Sequence, residues 1–576
     1  MTRIAEQRLP VKKEAWGSRL GVVLAVAGSA VGLGNFLRFP GTAAAHGGGA
    51  FMIPYFCALL LVGLPICWAE WIMGRHGGQR GYNSCPAILG VLGGRRGWSY
   101  PGVLGLLIPI AIYMYYVLIE SWCLGYAWAY LTGSIDLGDD PTKYVEGSEA
   151  FFGRFVGIDS DGLMLKSGIQ PSVVFWIITF TLNFILIFRG ISRGIEAFCI
   201  RAMPLMAFCA VVVLIRVLTL GTPDADRPDH NVLTGLGFMW NPKGVDGGAW
   251  YTSLLNPETW LAAAGQIFFS LSVGFGIIIN YSSYLKKDDD VVLSGLTAAS
   301  TNEFFEVCLG GLITIPAAFI FLGAAGTVGG TFGLGFNTLP VVFEYMHFGH
   351  FVGFLWFFML FLAAITSSLS MLQPAIAFLE EGLGLGRKAS VTMLGLITAL
   401  GSFFIIYFSK GLVALDTVDF WAGTAFIFVL ATIEVILFSW VFGVERGYEE
   451  AHAGAEMRIP RVWKFVIKYV SPLFLLVIFV FWCKDNLPDR VRQLKEGEDG
   501  GVPLLSVMLL GVLSIFLLVL IHLALRRWKN GLHAAPVICP HDGCGHANQA
   551  EATYCAQCGR ALGERTTRPP KPEPAT

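Results

Sequence analysis

Long apolar runs are the feature of this sequence that most restricts its fold. About twelve of them reach the ~20 residues that a helix needs to cross the hydrocarbon core of a bilayer. Strands of membrane β-barrels are short and alternate between apolar and polar residues, whereas these runs are continuously apolar. Only 14% of the 576 residues are charged, against about 25% in soluble domains. We therefore predict an all-α polytopic membrane protein with twelve transmembrane helices.

The distribution of Lys and Arg predicts how the chain is oriented. Segments that we place inside carry more of these residues than the alternate loops, in a ratio of about 23 to 9. Both termini are therefore expected in the cytoplasm, and the protein in the cell (inner or plasma) membrane. The first residues are charged and lead directly into a full-length span, so we expect no cleavable signal.

Two of the apolar runs are interrupted in the same way. Residues 28–37 read GSAVGLGNFL and contain Ser-Ala-Val-Gly-Leu-Gly, while residues 266–279 contain Ser-Val-Gly-Phe-Gly. One lies in the first run and the other in the sixth, which are matching positions if runs 1–5 and 6–10 are halves of a repeat. Such matched breaks point to a transporter binding site at mid-membrane.

Unwound backbone within a bilayer needs new polar partners, because an unpaired N–H or C=O there costs several kcal/mol. Freed carbonyls can ligate a cation, and freed amides at the start of a half-helix can bind an anion. A cation and a carboxylate bound together would satisfy both breaks. Two other interpretations stay open from the residues alone: glycines that only allow close helix packing, and a dinucleotide fingerprint, which lacks its flanking βαβ pattern.

Several long motifs resemble the neurotransmitter:sodium symporters, most of all the bacterial leucine transporter and related prokaryotic amino-acid symporters. They are, in order, WGSRLGVVLAVAGSAVGLGNFLRFP, GGGAFMIPY, GQIFFSLSVGFG, LSGLTAASTNEFFEV and LAAITSSLSMLQPAIAFLEE, and the resemblance covers roughly residues 10–528. It implies a core of two inverted repeats of five helices, with helices 1 and 6 broken, and sodium-coupled uptake by alternating access. The expected parts are a cytoplasmic N-terminal segment (1–18), the first repeat (19–220), an extracellular loop (221–249), the second repeat (250–445), two peripheral helices (446–528), a zinc ribbon (537–562) and a disordered tail (563–576).

The resemblance also implies two sodium sites built from neutral oxygen donors. The first would use Ala30, Asn35, Ser270 and Asn302 with the substrate carboxylate; the second would use Gly28, Val31, Ala363, Thr366 and Ser367. Neutral oxygens suit a monovalent cation better than the carboxylate-rich cages that divalent ions favour. From the residues alone, the hydroxyls of the Thr-Ser-Ser run could instead bond the carbonyls of their own helix.

The expected substrate is a small neutral amino acid with an apolar side chain. By the resemblance, its site would be formed by Ala30, Leu33, Gly34, Ile112, Tyr116, Phe269, Ser270, Ser272, Phe275, Ser367 and Met371. None of these residues is charged, so a charged substrate side chain would be buried without a partner. Monoamine carriers of this family have an aspartate where this chain has Gly32, which argues for ligands that bring their own carboxylate.

Charged residues near the breaks are assigned to gates and to anion replacement. Arg38 and Asp419 would form an outer gate with Phe269 as lid, and the inner gate would use Lys13, Trp16, Ser283, Tyr284, Gln373 and Glu381. Glu306 follows Asn302 by one helical turn, at the position where chloride-dependent relatives hold the anion. We therefore expect transport to be independent of chloride. Glu70 and Glu120 are interpreted as polar support near the broken helices.

The last forty residues differ in character from the rest of the chain. Cys539, Cys544, Cys555 and Cys558 form two cysteine knuckles, a spacing typical of a zinc ribbon with four thiolates. His541 and His546 are alternative ligands. So few residues bury too small a core to fold without the metal. The ribbon would serve as a folded cap or bind a cytoplasmic protein.

The function expected from these features is sodium-coupled symport of neutral amino acids. A membrane amino-acid sensor that signals through the ribbon is the alternative, and a channel is a third. No nucleophile, acid–base constellation or nucleotide loop in the sequence suggests an enzyme or an ATP-driven pump, and we expect no nucleic-acid partner.

Overall fold

The computed structural model describes residues 16–165, 168–223, 226–242, 249–326 and 332–528, the stretches 537–541 and 547–548, and residues 555 and 562. Within these residues, ten helices are long and apolar enough to cross a membrane, or eleven if a bent helix pair near the N-terminus is one span. The remaining predicted run, near residue 268, is split into two pieces shorter than the 18 residues required of a span. The all-α class is confirmed, while the count of twelve spans stays a prediction.

We number the apolar segments in chain order. They are segment 1 (Arg19–Ala30 and Gly34–Ala45), 2 (Met52–Gly78), 3 (Arg96–Thr132), 4 (Pro171–Phe188), 5 (Ile191–Leu218), 6 (Pro257–Leu271 and Ile277–Ser282), 7 (Val291–Gly323), 8 (Gly349–Leu383), 9 (Arg387–Tyr407), 10 (Lys410–Ala451), 11 (Val462–Glu496) and 12 (Asp499–Arg527).

Shorter elements join these segments. The helices are Cys85–Gly93, Tyr144–Val156, Val232–Trp240, Thr252–Leu255 and Leu339–Tyr345, and the two antiparallel strand pairs are Met164–Leu165 with Gly168–Ile169 and Val537–Ile538 with Ala547–Asn548. The predicted part boundaries and the inverted relation between the two halves stay predictions, and residues 1–15 and 563–576 lie outside the described residues.

The breaks in segments 1 and 6 differ in their backbone geometry. In segment 1 the helix ends at Ala30, Val31 is extended at φ −72° and ψ 104°, and the two pieces are bent by 46°. In segment 6 three residues have left-handed backbone angles: Ser272 (φ 55°), Gly274 (φ 74°) and Gly276 (φ 76°). Glycine adopts that region freely, whereas a serine there is strained. Both interruptions therefore lie where the Ser-Gly-Gly patterns of the sequence place them.

Burial separates central segments from peripheral ones. In segments 3 and 8, 89% of the most apolar window is buried within the protein, against 33% in segment 11 and 28% in segment 12. Segment 8 packs against segments 3 and 5, and the first piece of segment 1 packs against segments 5, 7 and 8. The broken segment 1 is thus surrounded by protein, which is where unpaired backbone groups can be satisfied.

Candidate functional site

Asn35 links the break in segment 1 to segment 7. Its Oδ1 accepts a hydrogen bond from the Gly32 amide at 2.8 Å, and its Nδ2 donates to Asn302 Oδ1 at 2.8 Å. Both asparagines are fully buried. Because a main-chain amide can only donate, the Gly32 contact fixes which way the Asn35 amide points.

A cluster of oxygen atoms lies beside Asn302. One polar atom of its side-chain amide is 3.2 Å from the Ala30 carbonyl oxygen and 3.1 Å from the Ser270 carbonyl oxygen. With oxygen in that position, three acceptors face one another, an arrangement that a bound cation satisfies. With nitrogen there, the amide would face both carbonyls but also the Asn35 Nδ2 group, itself a donor, at 2.8 Å. Because the Gly32 contact fixes the Asn35 amide, the oxygen occupies that position, and the predicted first sodium ligands lie close together.

A buried carboxylate adjoins this cluster. Glu306 is fully buried and accepts hydrogen bonds from Gln266 Nε2 at 2.8 Å and from Asn35 Nδ2 at 3.0 Å. Among the described residues, no lysine, arginine or histidine forms an ion pair with it. Glu306 thus places its carboxyl group where the resemblance expects an anion.

The predicted second sodium ligands converge on one hydroxyl group. Ser367 Oγ lies 3.2 Å from the carbonyl oxygen of Gly28, 3.3 Å from that of Val31 and 3.2 Å from that of Ala363. Thr366 Oγ1 lies 3.0 Å from the same Ala363 oxygen and 3.1 Å from that of Leu362, so the local bonds of the alternative interpretation are also present. The Ala363 carbonyl lies inside the helix of segment 8, but Gly28 and Val31 lie at the break, and the one hydrogen of a hydroxyl cannot satisfy both of their carbonyls. The excess of acceptors favours a cation.

Residues assigned to the substrate lie around the two breaks. The Leu33 amide donates to the Tyr116 hydroxyl at 3.1 Å, so the two groups that would hold a carboxylate are already neighbours. The Ser272 hydroxyl donates to the Ser29 carbonyl at 3.3 Å, which joins the breaks directly. Phe269 and Phe275 meet edge to face at 6.1 Å between ring centroids. The other predicted members, Ala30, Gly34, Ile112, Ser270, Ser367 and Met371, are all buried.

The outer gate residues have separate partners. The Arg38 guanidinium lies over the Phe269 ring, 4.5 Å from its centroid, whereas Asp419 accepts a hydrogen bond from the Tyr115 hydroxyl at 2.5 Å. Within the part of the chain that the structure describes, Arg38 and Asp419 do not form an ion pair within 4.0 Å. Arg38 therefore contacts the expected lid directly, without the expected pairing.

Residues assigned to the inner gate lie at the other end of segments 1, 6 and 8. Trp16 Nε1 donates to the Tyr281 carbonyl at 3.1 Å, and Gln373 Nε2 donates to the Tyr284 hydroxyl at 3.3 Å.

Two further residues assigned to this gate form hydrogen bonds with residues 83 and 84. Ser283 Oγ donates to Asn83 Oδ1 at 3.1 Å. Glu381 accepts from the Asn83 amide at 2.6 Å and from the Ser84 amide at 3.0 Å. Lys13, its expected partner, lies outside the described residues.

Two buried carboxylates near the broken segments were missed by sequence reasoning. Glu196 in segment 5 accepts from the amides of Gly17 at 2.8 Å and Ser18 at 3.1 Å, which tethers the start of segment 1. Glu434 in segment 10 is fully buried and contacts Glu70, whose Oε1 accepts from the Gly274 amide at 2.6 Å. An acid inside an apolar run was the available signal for both.

The C-terminal knuckles are only partly described. Cys539 and Cys555 are buried, while Cys544, His546 and Cys558 lie outside the described residues. No group of three or more His, Cys, Asp or Glu residues that could hold a metal occurs in the described part of the chain. The zinc site and its alternative ligand His541 stay predictions.

The chain is similar to known sodium-dependent transporters. The model of a family described as the sodium:neurotransmitter symporter family matches residues 13–148 and 141–526. An uncharacterised sodium-dependent transporter of Methanocaldococcus jannaschii is 29% identical, over 90% of this chain and 99% of its own length. A sodium-dependent nutrient amino acid transporter of Drosophila persimilis is 27% identical, over 83% and 76% respectively.

A solved structure has the same fold. The crystal structure of MhsT in complex with L-phenylalanine superposes with a TM-score of 0.68 at 27% identity, covering 81% of this chain and 99% of MhsT.

Proposed function

The chain belongs to the sodium:neurotransmitter symporter family, and from that membership we propose that it takes up neutral, apolar L-amino acids together with sodium ions. The observation that carries this proposal is a pair of neutral oxygen clusters at the break in segment 1, one shared with segments 6 and 7 and the other with segment 8, whose oxygen atoms outnumber the hydrogens available to them. We propose sodium at both oxygen clusters, with the ligands that the resemblance implies.

The substrate class rests on the charge of the site. Leu33, Tyr116 and Phe269 are uncharged, as are the other residues assigned to the substrate, so an ionised substrate side chain would be buried without a partner. Its carboxylate would accept hydrogen bonds from the Leu33 amide and the Tyr116 hydroxyl, which now bond to each other at 3.1 Å. The names of the similar proteins support an amino acid: nutrient amino acid transporters in one case, a phenylalanine complex in the other.

Chloride independence is a finer part of the proposal. Glu306 holds its carboxyl group within 3.0 Å of the Asn35 side chain, next to the first oxygen cluster. Its negative charge can balance a sodium ion there, so no exogenous anion is required.

Uptake in proteoliposomes under an imposed sodium gradient tests the function. We expect accumulation of an apolar amino acid such as leucine with sodium, and none with potassium. Binding without accumulation would favour the sensor alternative, and equal uptake in potassium would contradict sodium coupling. A melting-temperature screen of the common amino acids in both salts identifies the preferred ligand.

For the C-terminal tail we propose a structural zinc ion held by Cys539, Cys544, Cys555 and Cys558. The burial of Cys539 and Cys555, and a strand pair that ends beside Cys539, support this proposal. Metal analysis should find one zinc per chain. A Cys539→Ser and Cys555→Ser double variant should bind none, and zinc retained by that variant would contradict the assignment.

A further inference from the structure

Three polar side chains from segments 3, 4 and 8 form a closed group. Glu120, Asn183 and Ser368 are all fully buried. Asn183 Nδ2 lies 2.8 Å from Glu120 Oε1, Ser368 Oγ lies 2.8 Å from Glu120 Oε2, and Ser368 Oγ lies 2.7 Å from Asn183 Oδ1. Each residue therefore contacts both of the others at hydrogen-bond distance.

The orientation of the Asn183 amide is fixed by its surroundings. Its Nδ2 also lies 3.0 Å from the Thr179 carbonyl oxygen, which can only accept. A flipped amide would set its oxygen against that carbonyl and against Glu120 Oε1. The nitrogen therefore uses its two hydrogens on Thr179 and Glu120, and Oδ1 faces Ser368.

The number of hydrogens available for these contacts fixes the charge state of Glu120. The Ser368 hydroxyl has one hydrogen but faces two side-chain acceptors, Asn183 Oδ1 and Glu120 Oε2. If Glu120 were ionised, one of these short oxygen–oxygen contacts would contain no hydrogen, and a full charge would be buried. Among the described residues, no lysine, arginine or histidine forms an ion pair with Glu120. A proton on Oε2 satisfies all three contacts among these side chains, and the other acceptor near Ser368 Oγ, the Ile365 carbonyl at 3.1 Å, lies inside the helix of segment 8.

We propose that Glu120 binds one resident proton and, as a neutral acid, closes a ring of hydrogen bonds that fixes segment 8 against segments 3 and 4. The Glu120 hydroxyl donates to Ser368, the Ser368 hydroxyl donates to Asn183, and the Asn183 amide donates to Glu120. The titratable side chains of segment 3 that interact with the Glu120 carboxyl group are Tyr113, Tyr116 and Cys123.

The ring adjoins the second oxygen cluster. Ser368 directly follows Thr366 and Ser367, whose hydroxyls face the carbonyls of the Gly28–Val31 stretch. A rotation of segment 8 would move those hydroxyls away from segment 1. Glu120 is therefore a positioning residue for the second sodium site, a role that rests on the proposed function, whereas its proton does not.

Isosteric substitution tests the proton. In Glu120→Gln, the amide nitrogen can donate to Ser368 and the amide oxygen can accept from Asn183, which reproduces the protonated acid. We expect this variant to keep the sodium concentration for half-maximal leucine uptake, and Glu120→Ala to raise it about tenfold, as loss of an outer-shell partner does at metal sites. An equal rise in both variants would overturn the proposal.

Infrared difference spectra provide a second measurement that does not depend on transport. Wild type minus Glu120→Gln should show the carbonyl stretch of an unionised carboxylic acid, and Ser368→Ala should shift that band because the acid loses its acceptor. A carboxylate band in its place would overturn the proton assignment. If sodium has no effect on wild-type uptake, the proposed function fails while the infrared result still decides the proton.

Discussion

A Cβ atom added at Gly32 would lie 2.5 Å from the phenolic oxygen of Tyr116. The same atom would lie 2.7 Å from Ser367 Oγ. Tyr116 belongs to the proposed carboxylate site and Ser367 to the proposed second cation site, so a side chain at Gly32 would meet both sites.

Substitution of Gly32 by alanine should therefore affect both ligands. We expect Gly32→Ala to reduce leucine uptake severely, because the added methyl group must displace the Tyr116 hydroxyl or the Ser367 hydroxyl. Gly265→Ala in the first piece of segment 6 is the matched control, since a Cβ there meets nothing within 4 Å. Uptake at initial rates checks both variants, and equal activity would show that the Gly32 backbone is not confined as described.

A comparison of two buried threonines tests whether one of them is a cation ligand. Thr366 Oγ1 lies 3.1 Å from the Leu362 carbonyl, and Thr398 Oγ1 lies 2.8 Å from the Leu394 carbonyl, so both make the same bond within their helix. We expect Thr366→Ala to weaken sodium activation of uptake by about tenfold or more, whereas Thr398→Ala should not change it. If both variants behave alike, the Thr366 hydroxyl serves only its helix.

Removal of the buried charge should make uptake depend on an external anion. Wild-type uptake should be the same in sodium chloride and sodium gluconate, because we propose that Glu306, beside Asn35, supplies the negative charge. Glu306→Ser takes away that charge and leaves room, so we expect chloride to stimulate its uptake. Chloride stimulation of the wild type, or none in a folded variant, would argue against this role.

The contact between Arg38 and Phe269 should help to retain bound substrate. A cation over an aromatic face contributes about 0.5–1 kcal/mol at an exposed site and more when desolvated. We expect Arg38→Gln to speed leucine dissociation several-fold in a filter-binding assay. Arg490→Gln is the control, because Arg490 lies over Phe420 at a similar distance, 4.6 Å, away from the breaks. Similar dissociation rates in both variants would show that Arg38 does not help the lid to retain substrate.

The breaks were predictable because their signal is local. Serine and glycine clustered within a few residues of an apolar run weaken a membrane helix, and the left-handed angles at Gly274 and Gly276 are ones that glycine favours. Membership of the symporter family was predictable for a different reason: long motifs occur in the same order along the chain, and the family match confirms it.

Partners between distant segments were not predictable from the residues alone. The sequence identifies Glu120 as an acid in a span, but only the structure brings it within 2.8 Å of Asn183 and Ser368. Similarly, Arg38 and Asp419 were expected to pair, and tertiary packing instead gives them Phe269 and Tyr115. Such contacts depend on helix rotations of a few degrees, which hydrophobicity does not specify.

The position of Phe269 couples substrate selection to closure of the outer gate. A Cβ at Gly34 would lie 2.9 Å from its ring, Arg38 covers one face, and Phe275 meets it edge to face. Phe269 is assigned both to the substrate site and to the lid, so the same ring would contact the substrate and close the route above it. A substitution of Phe269 that admits other amino acids would also weaken closure of the outer gate. Changes in substrate specificity should therefore arise at the other residues of the substrate site.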